Sequence, residues 1–252
     1  MRKSNSNLSS EAVEDLRQRI HRDTRRMKHK FSNLQTTIRE NLTVSPKALA
    51  AHVIGMYILS EEHEKKIEKA SSIEDIFNIL TKYWSFLDFS HLENIAGKYC
   101  SSSKAKQELE QYNDEVKKFC ERSVSEFPPG SLNNGTDNEG MDKLVITLDL
   151  KDPSLRHVLD LKEIIADILG LEVSRLVLYD IRRGSVVVTY WIATSLGEEL
   201  FLKKSNMFTQ EQRDRLKDAH VVSLEFKNFM IPVFPEKTNE KKPGTCISKH
   251  II

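Results

Sequence analysis

None of the nine glycines in this 252-residue chain forms a G-x-G pair, which removes both the dinucleotide-binding fingerprint and the phosphate-binding loop. Cysteine is scarcer still. Cys100, Cys120 and Cys246 are an odd and widely spaced set, unsuited to a disulfide framework and in keeping with a reducing interior, so a cytoplasmic location is expected. Histidine and cysteine nowhere take zinc-ligand spacing, and no metal or cofactor is expected. His63-Glu64 begins like a metalloprotease helix, but Ile67 stands where the second histidine belongs. No eighteen apolar residues run together, and the basic start MRKSNSNLSSEAVEDL has no apolar run behind it. Neither a transmembrane segment nor a secretory signal is therefore expected.

An excess of one charge sign is also missing, since the net charge is +1. The balance is uneven along the chain, however. Residues 1–44 carry ten Lys and Arg against five Asp and Glu, and only this arm is distinctly basic. With 39% hydrophobic and 30% charged residues the chain is globular, and its length suits two units of ordinary size.

The arm itself reads as one long helix. Val13, Leu16, Ile20, Thr24, Met27, Phe31, Leu34, Ile38 and Leu42 recur at steps of three and four, the period of a straight amphipathic helix. Ser9 or Ser10 is placed to cap it. Its outer face carries Arg17, Arg19, Arg22, Arg25, Arg26, Lys28 and Lys30. Such a face suits an acidic surface or nucleic acid, although a solvated helix face is the plainer reading and no aromatic platform accompanies the charges. Were the apolar stripe left uncovered, it would have to meet another chain, which makes homo-oligomerisation through this helix an option.

Further helices follow. Ser45-Pro46 starts one, with proline where its missing N–H costs nothing. Ser60 starts another in which only Ile67 and Ala70 offer apolar contact. Ser71-x-x-Glu74 and Ser90-x-x-Glu93 read as capping boxes opening two helices that meet at an aromatic corner of Trp84, Phe86 and Phe89. Aromatic residues at helical spacing are expected to be core, not a ligand pocket. Leu109, Tyr112, Val116, Phe119 and Cys120 mark a last helix, with Cys100 and Cys120 as buried thiols.

Phe127-Pro128-Pro129-Gly130 ends the helical part and SLNNGTDNEG has no apolar period. The expected organisation is a helical bundle at 1–127, a flexible linker at 128–141, a small domain at 142–234 and a flexible tail at 235–252. In the small domain the period changes to two. Leu144, Ile146, Leu148 and Leu150 alternate on a strand. Asp160-x-x-Glu163 is read as capping a helix that Gly170 stops, and strands at 176–181 and 186–193 flank an Arg182-Arg183-Gly184-Ser185 turn. A short segment SLGEELF, a helix at 209–220, a strand at 221–226 and a further strand at 229–234 complete the order. The fold class is thus α+β, an all-α helical bundle followed by a ferredoxin-like βαββαβ domain.

Gly184-Ser185-Val186-Val187-Val188 resembles the cleavage sequence of SEA domains, extracellular modules that share the ferredoxin-like fold. That resemblance implies attack by Ser185 on the Gly184 carbonyl. More of the chain carries a second resemblance. SSIEDIFNILTKYWSFLDFSHLENIAGKY, KKFCERSVSEFPP, DLKEIIADILGL and IRRGSVVVTYWIAT, within about residues 45–226, resemble a two-part region of invertebrate multidomain proteins that is often found beside death-fold signalling domains. It implies no catalytic residues. The expected function is a non-enzymatic adaptor that binds a protein partner. The alternatives are binding of nucleic acid or an acidic surface through the basic helix, and self-cleavage at Gly184-Ser185.

Overall fold

The computed structural model describes residues 10–56, 58–133, 140–182, 185–204 and 208–233. The expected tail at 235–252 and much of the expected linker, 134–139, lie outside the described residues. So does the serine cap expected at Ser9.

The helical half consists of α1 (Ser10–Glu40), α2 (Pro46–Ile54), α3 (Glu61–Glu68), α4 (Ile73–Leu80), α5 (Ser90–Tyr99) and α6 (Ser103–Cys120). Along α1 the stripe Ile20, Thr24, Met27, Phe31, Leu34 and Ile38 is buried, as its spacing requires. Thr24 belongs there because its hydroxyl donates to the Ile20 carbonyl at 2.9 Å and leaves no free donor in the core. Ser45 caps α2 and Ser60 caps α3, each accepting a backbone N–H.

The capping boxes differ from expectation. The box at the start of α4 is Ser72 with Asp75, not Ser71 with Glu74. Ser90 is the first residue of α5, Phe89 occupies the capping position, and no side chain caps it. Glu93 instead accepts from Asn113 Nδ2 at 2.8 Å, tying α5 to α6. In α3, Ile67 is not alone in the core: His63 is also buried, with Nδ1 2.5 Å from the Tyr83 hydroxyl.

Between α4 and α5 the aromatic corner closes the bundle. Trp84 meets Phe77 edge-on at 5.4 Å, and Phe89 contacts both Phe31 of α1 and Tyr112 of α6. The Tyr112 hydroxyl donates to the Phe86 carbonyl at 2.8 Å, so the ring is held at its polar end as well as its apolar one.

The second half holds β1 (Met141–Leu148), α7 (Leu155–Leu169), β2 (Val177–Arg182), β3 (Val186–Ala193), α8 (Thr194–Lys204), α9 (Gln210–Asp218), β4 (Val221–Phe226) and β5 (Phe229–Pro232). The strand order is β2-β3-β1-β4-β5 with every neighbour antiparallel. The first four strands follow the order of the split βαβ unit, and β5 is an added edge. Ser154, not Asp160, caps α7, which begins six residues earlier than the Asp160 box implied. Gly170 ends it at φ 68, the left-handed geometry that glycine adopts without steric cost. SLGEELF is part of a full helix, α8.

One face of the sheet, with Leu144, Ile146, Leu148, Val188, Tyr190, Leu224 and Phe226, is buried. The stacked pair Phe201 and Phe226 seats α8 on it. On the opposite face Lys143 is exposed and Val145, Thr147, Ser223 and Glu225 are half-buried, whereas Trp191 and Thr189 of β3 on that same side are buried, so the face is wetted along β1 and β4 and covered at β3.

The two halves share one continuous apolar core. A backbone bridge joins them where Leu155 N donates to Arg122 O at 2.8 Å and Val124 N to Pro153 O at 2.9 Å. Leu132, just before the undescribed stretch, is buried at 2% exposure.

Candidate functional site

The seven basic residues expected on one face of α1 divide by angle. At about 100° per residue, Arg22, Arg25 and Arg26 point away from the buried stripe, whereas Lys28 and Lys30 sit roughly 80° to either side of it. That offset lets the two lysines reach the rest of the bundle. Lys30 Nζ pairs with both carboxylate oxygens of Glu115 on α6 at 2.6 Å. Lys28 Nζ donates to the Asn133 carbonyl at 2.8 Å and lies 5.4 Å from the Phe86 ring centroid. Burial holds the Lys28 ammonium below its ordinary value, and the Asp180 carboxylate partly restores it. Lys28 and Lys30 are therefore tethers within the fold, contrary to their expected place on a binding face.

The remaining five are exposed. Arg17 makes a loose pair with Glu14 at 3.9 Å, and Arg19 Nε approaches the Asp15 carbonyl at 3.5 Å. Arg22, Arg25 and Arg26 make no ion pair or side-chain hydrogen bond among the described residues. They stand on a helix clamped along its other side, by the apolar stripe and by Asp23, whose Oδ2 accepts from Arg122 at 2.6 Å. Beside Arg26 a shallow cleft of about 370 Å³ separates α1 from α6, with Lys118 and Arg122 on its far wall. From Ile20 onward the stripe is core, so any homotypic contact through α1 would be confined to the turns before it, where Leu16 is exposed.

A second feature lies at the junction of the halves. Lys162 of α7 and Asp88, in the loop before α5, meet at 2.6 Å with both side chains largely buried. His91 is 6% exposed and neither ring nitrogen has a partner among the described residues. Burial pushes its pKa down to about 4, opposed by Asp88 and reinforced by Lys162. His91 borders a cleft of about 680 Å³ between α2, α5 and the turn before β2, where Ser174 Oγ donates to the Met56 carbonyl at 3.1 Å. Sequence reading missed His91 because its neighbour Ser90 looked like a cap, and because Lys162, one of the two charges that act on it, comes from α7, some seventy residues away in sequence.

The thiols are as expected where described. Cys100 and Cys120 are free and buried, and burial pushes the Cys120 thiol up to about 12, which suppresses the thiolate at neutral pH. Cys246 and Gly184 lie outside the described residues. Ser185 is exposed in the turn entering β3. Among the described residues no helix is long and apolar enough to cross a membrane, and no group of three His, Cys, Asp or Glu side chains is placed to hold a metal ion.

Comparison with known protein families, with characterised proteins and with solved structures finds no match.

Proposed function

We propose that the chain is a protein-interaction module, an adaptor without a reaction of its own, which presents the outer face of α1 to an acidic protein partner. The observation that carries this reading is the state of Arg22, Arg25 and Arg26: exposed, unpaired among the described residues, and mounted on a helix fixed along its opposite side. Arginines held on a rigid element lose little freedom on binding and offer planar forks suited to carboxylates. A protein is favoured over nucleic acid because the one aromatic residue of α1, Phe31, is buried at 6% exposure and gives no stacking surface. The resemblance of the 45–226 region to proteins carrying death-fold domains makes a signalling assembly the setting in which to look.

Cross-linking in source cells, followed by denaturing purification of the tagged chain with and without nuclease treatment, tests the reading. Recovery of the same protein partner in both samples, lost when the three arginines become glutamine, is expected. Recovery that depends on intact nucleic acid would replace the adaptor reading with nucleic-acid binding.

A further inference from the structure

Lys143 stands on the wetted face of the sheet with its Nζ 4.5 Å from the Tyr179 ring centroid and 5.0 Å from that of Trp191. The two rings are 4.8 Å apart and inclined at 56°, so they form two walls with an ammonium against them. Strand register builds the arrangement. Lys143 is directly opposite Trp191 in the β1–β3 ladder, and Trp191 is opposite Val177 in the β2–β3 ladder. The β2–β3 register shifts between Leu178 and Asp180, which makes Tyr179 the extra residue of a bulge, a device that re-aims a side chain.

The same bulge sets Asp180 opposite Thr189. Both are buried, at 6% and 2% exposure, and neither Asp180 Oδ1 nor Thr189 Oγ1 has a partner among the described residues. Asp180 Oδ2 has a loose contact with Arg182 Nε at 3.4 Å. Burial raises the Asp180 carboxyl, while Arg182, the backbone N–H of Ile181, Lys143 and Lys28 act to lower it. A cleft of about 460 Å³ adjoins the Trp191 ring on the side away from Tyr179 and Asp180, which do not line it; its walls include Lys143, Val145, Glu225 and Lys227. Lys227 is already engaged there by Asp142 at 3.1 Å and Glu198 at 2.6 Å.

Two aromatic walls beside a buried carboxylate with an unused oxygen make a site for an organic cation, because the ring faces and the carboxylate attract the same charge. Lys143 is the one exposed member of the group, on a flexible four-carbon stem, and is the part that moves at least cost. We propose that Tyr179, Trp191 and Asp180 form a recognition site for an alkylammonium group on a lysine side chain of a protein partner, which Lys143 occupies in the free chain and vacates on binding. The proposal rests on the reading of the chain as an interaction module but uses a surface separate from the α1 arginines.

The test uses the full chain with Trp84→Phe, which leaves Trp191 as the sole tryptophan of two. Its emission is followed during titration with a short peptide carrying trimethyl-lysine, the same peptide unmethylated, and free choline. Saturable binding of at least one peptide is expected. It should be roughly tenfold tighter in Lys143→Ala, where the internal competitor is gone, and lost in Tyr179→Ala. Circular dichroism checks that each variant is folded. Absence of saturable binding in both the parent and Lys143→Ala overturns the proposal, as does an affinity indifferent to Lys143. Choline binding as tightly as the peptides would overturn the protein source of the cation. Replacing Arg22, Arg25 and Arg26 should leave these titrations unchanged, so failure of the α1 reading is separately visible.

Discussion

Lys162 on α7 reaches across to Asp88 of the helical bundle, Nζ to Oδ2 at 2.6 Å, with side-chain exposures of 9% and 16%. This contact couples two halves that the sequence separates by a proline-glycine stretch. Removing one member of a buried pair leaves the other charge uncompensated. Lys162→Met or Asp88→Leu alone should each cost about 3–5 kcal/mol, whereas the double replacement should cost much less. Urea unfolding of the three variants measures this, and equal losses in singles and double would contradict it.

His91 gives the junction a pH dependence. Its pKa in the fold is about 4, against about 6.5 for an unfolded histidine. Between these values the unfolded chain binds more protons, so stability rises with pH; the contribution is complete above about 6.5 and is lost as pH falls towards 4. It amounts to up to about 3 kcal/mol. His91→Leu should flatten the stability curve over that window relative to the parent, and should be well tolerated at neutral pH because no hydrogen bond is removed. An unchanged slope would show that His91 is not held neutral.

Gly197 and Gly97 offer a matched pair. A Cβ on Gly197 of α8 would lie 2.3 Å from the Phe226 ring, while one on Gly97 of α5 would meet nothing within 4 Å. Gly197→Ala should therefore destabilise by about 1–3 kcal/mol through forced repacking. Gly97→Ala should stabilise by up to about 1 kcal/mol through helix propensity. Thermal unfolding of both variants checks the contrast in sign.

Cleavage at Gly184-Ser185 would be hidden under native conditions. The β1–β3 ladder runs from Leu148 opposite Val186 to Met141 opposite Ala193, enough hydrogen bonding to keep two fragments together. Denaturing electrophoresis should show one band at 29.1 kDa. A break after Gly184 would establish the SEA-like reaction instead.

Local periodicity carried much of the fold. The α1 stripe, the strands Val186–Ala193 and Val221–Phe226, and the Gly170 stop all follow from apolar spacing and one residue's backbone preference. The capping motifs were less legible because they overlap. Ser71 and Ser72 each precede an acid by three residues, and only the phase of α4 chooses Ser72. At α7 the earlier Ser154 takes the cap, leaving Asp160 inside the helix. Site residues were hardest where long-range neighbours decide them. Lys28 and Lys30 looked like members of a solvated face, but Asn133 and Glu115 engage them from 105 and 85 residues away. The Tyr179, Lys143 and Trp191 group needs three strands in register and a bulge that no local pattern reveals.

The α1 reading is tested most directly by the affinity of the cross-linked partner, purified, for the parent chain and for Arg22→Gln/Arg25→Gln/Arg26→Gln, measured by titration calorimetry. At least tenfold weaker binding by the variant, with an unchanged urea midpoint, is the predicted result. Equal affinity of the two chains would contradict it.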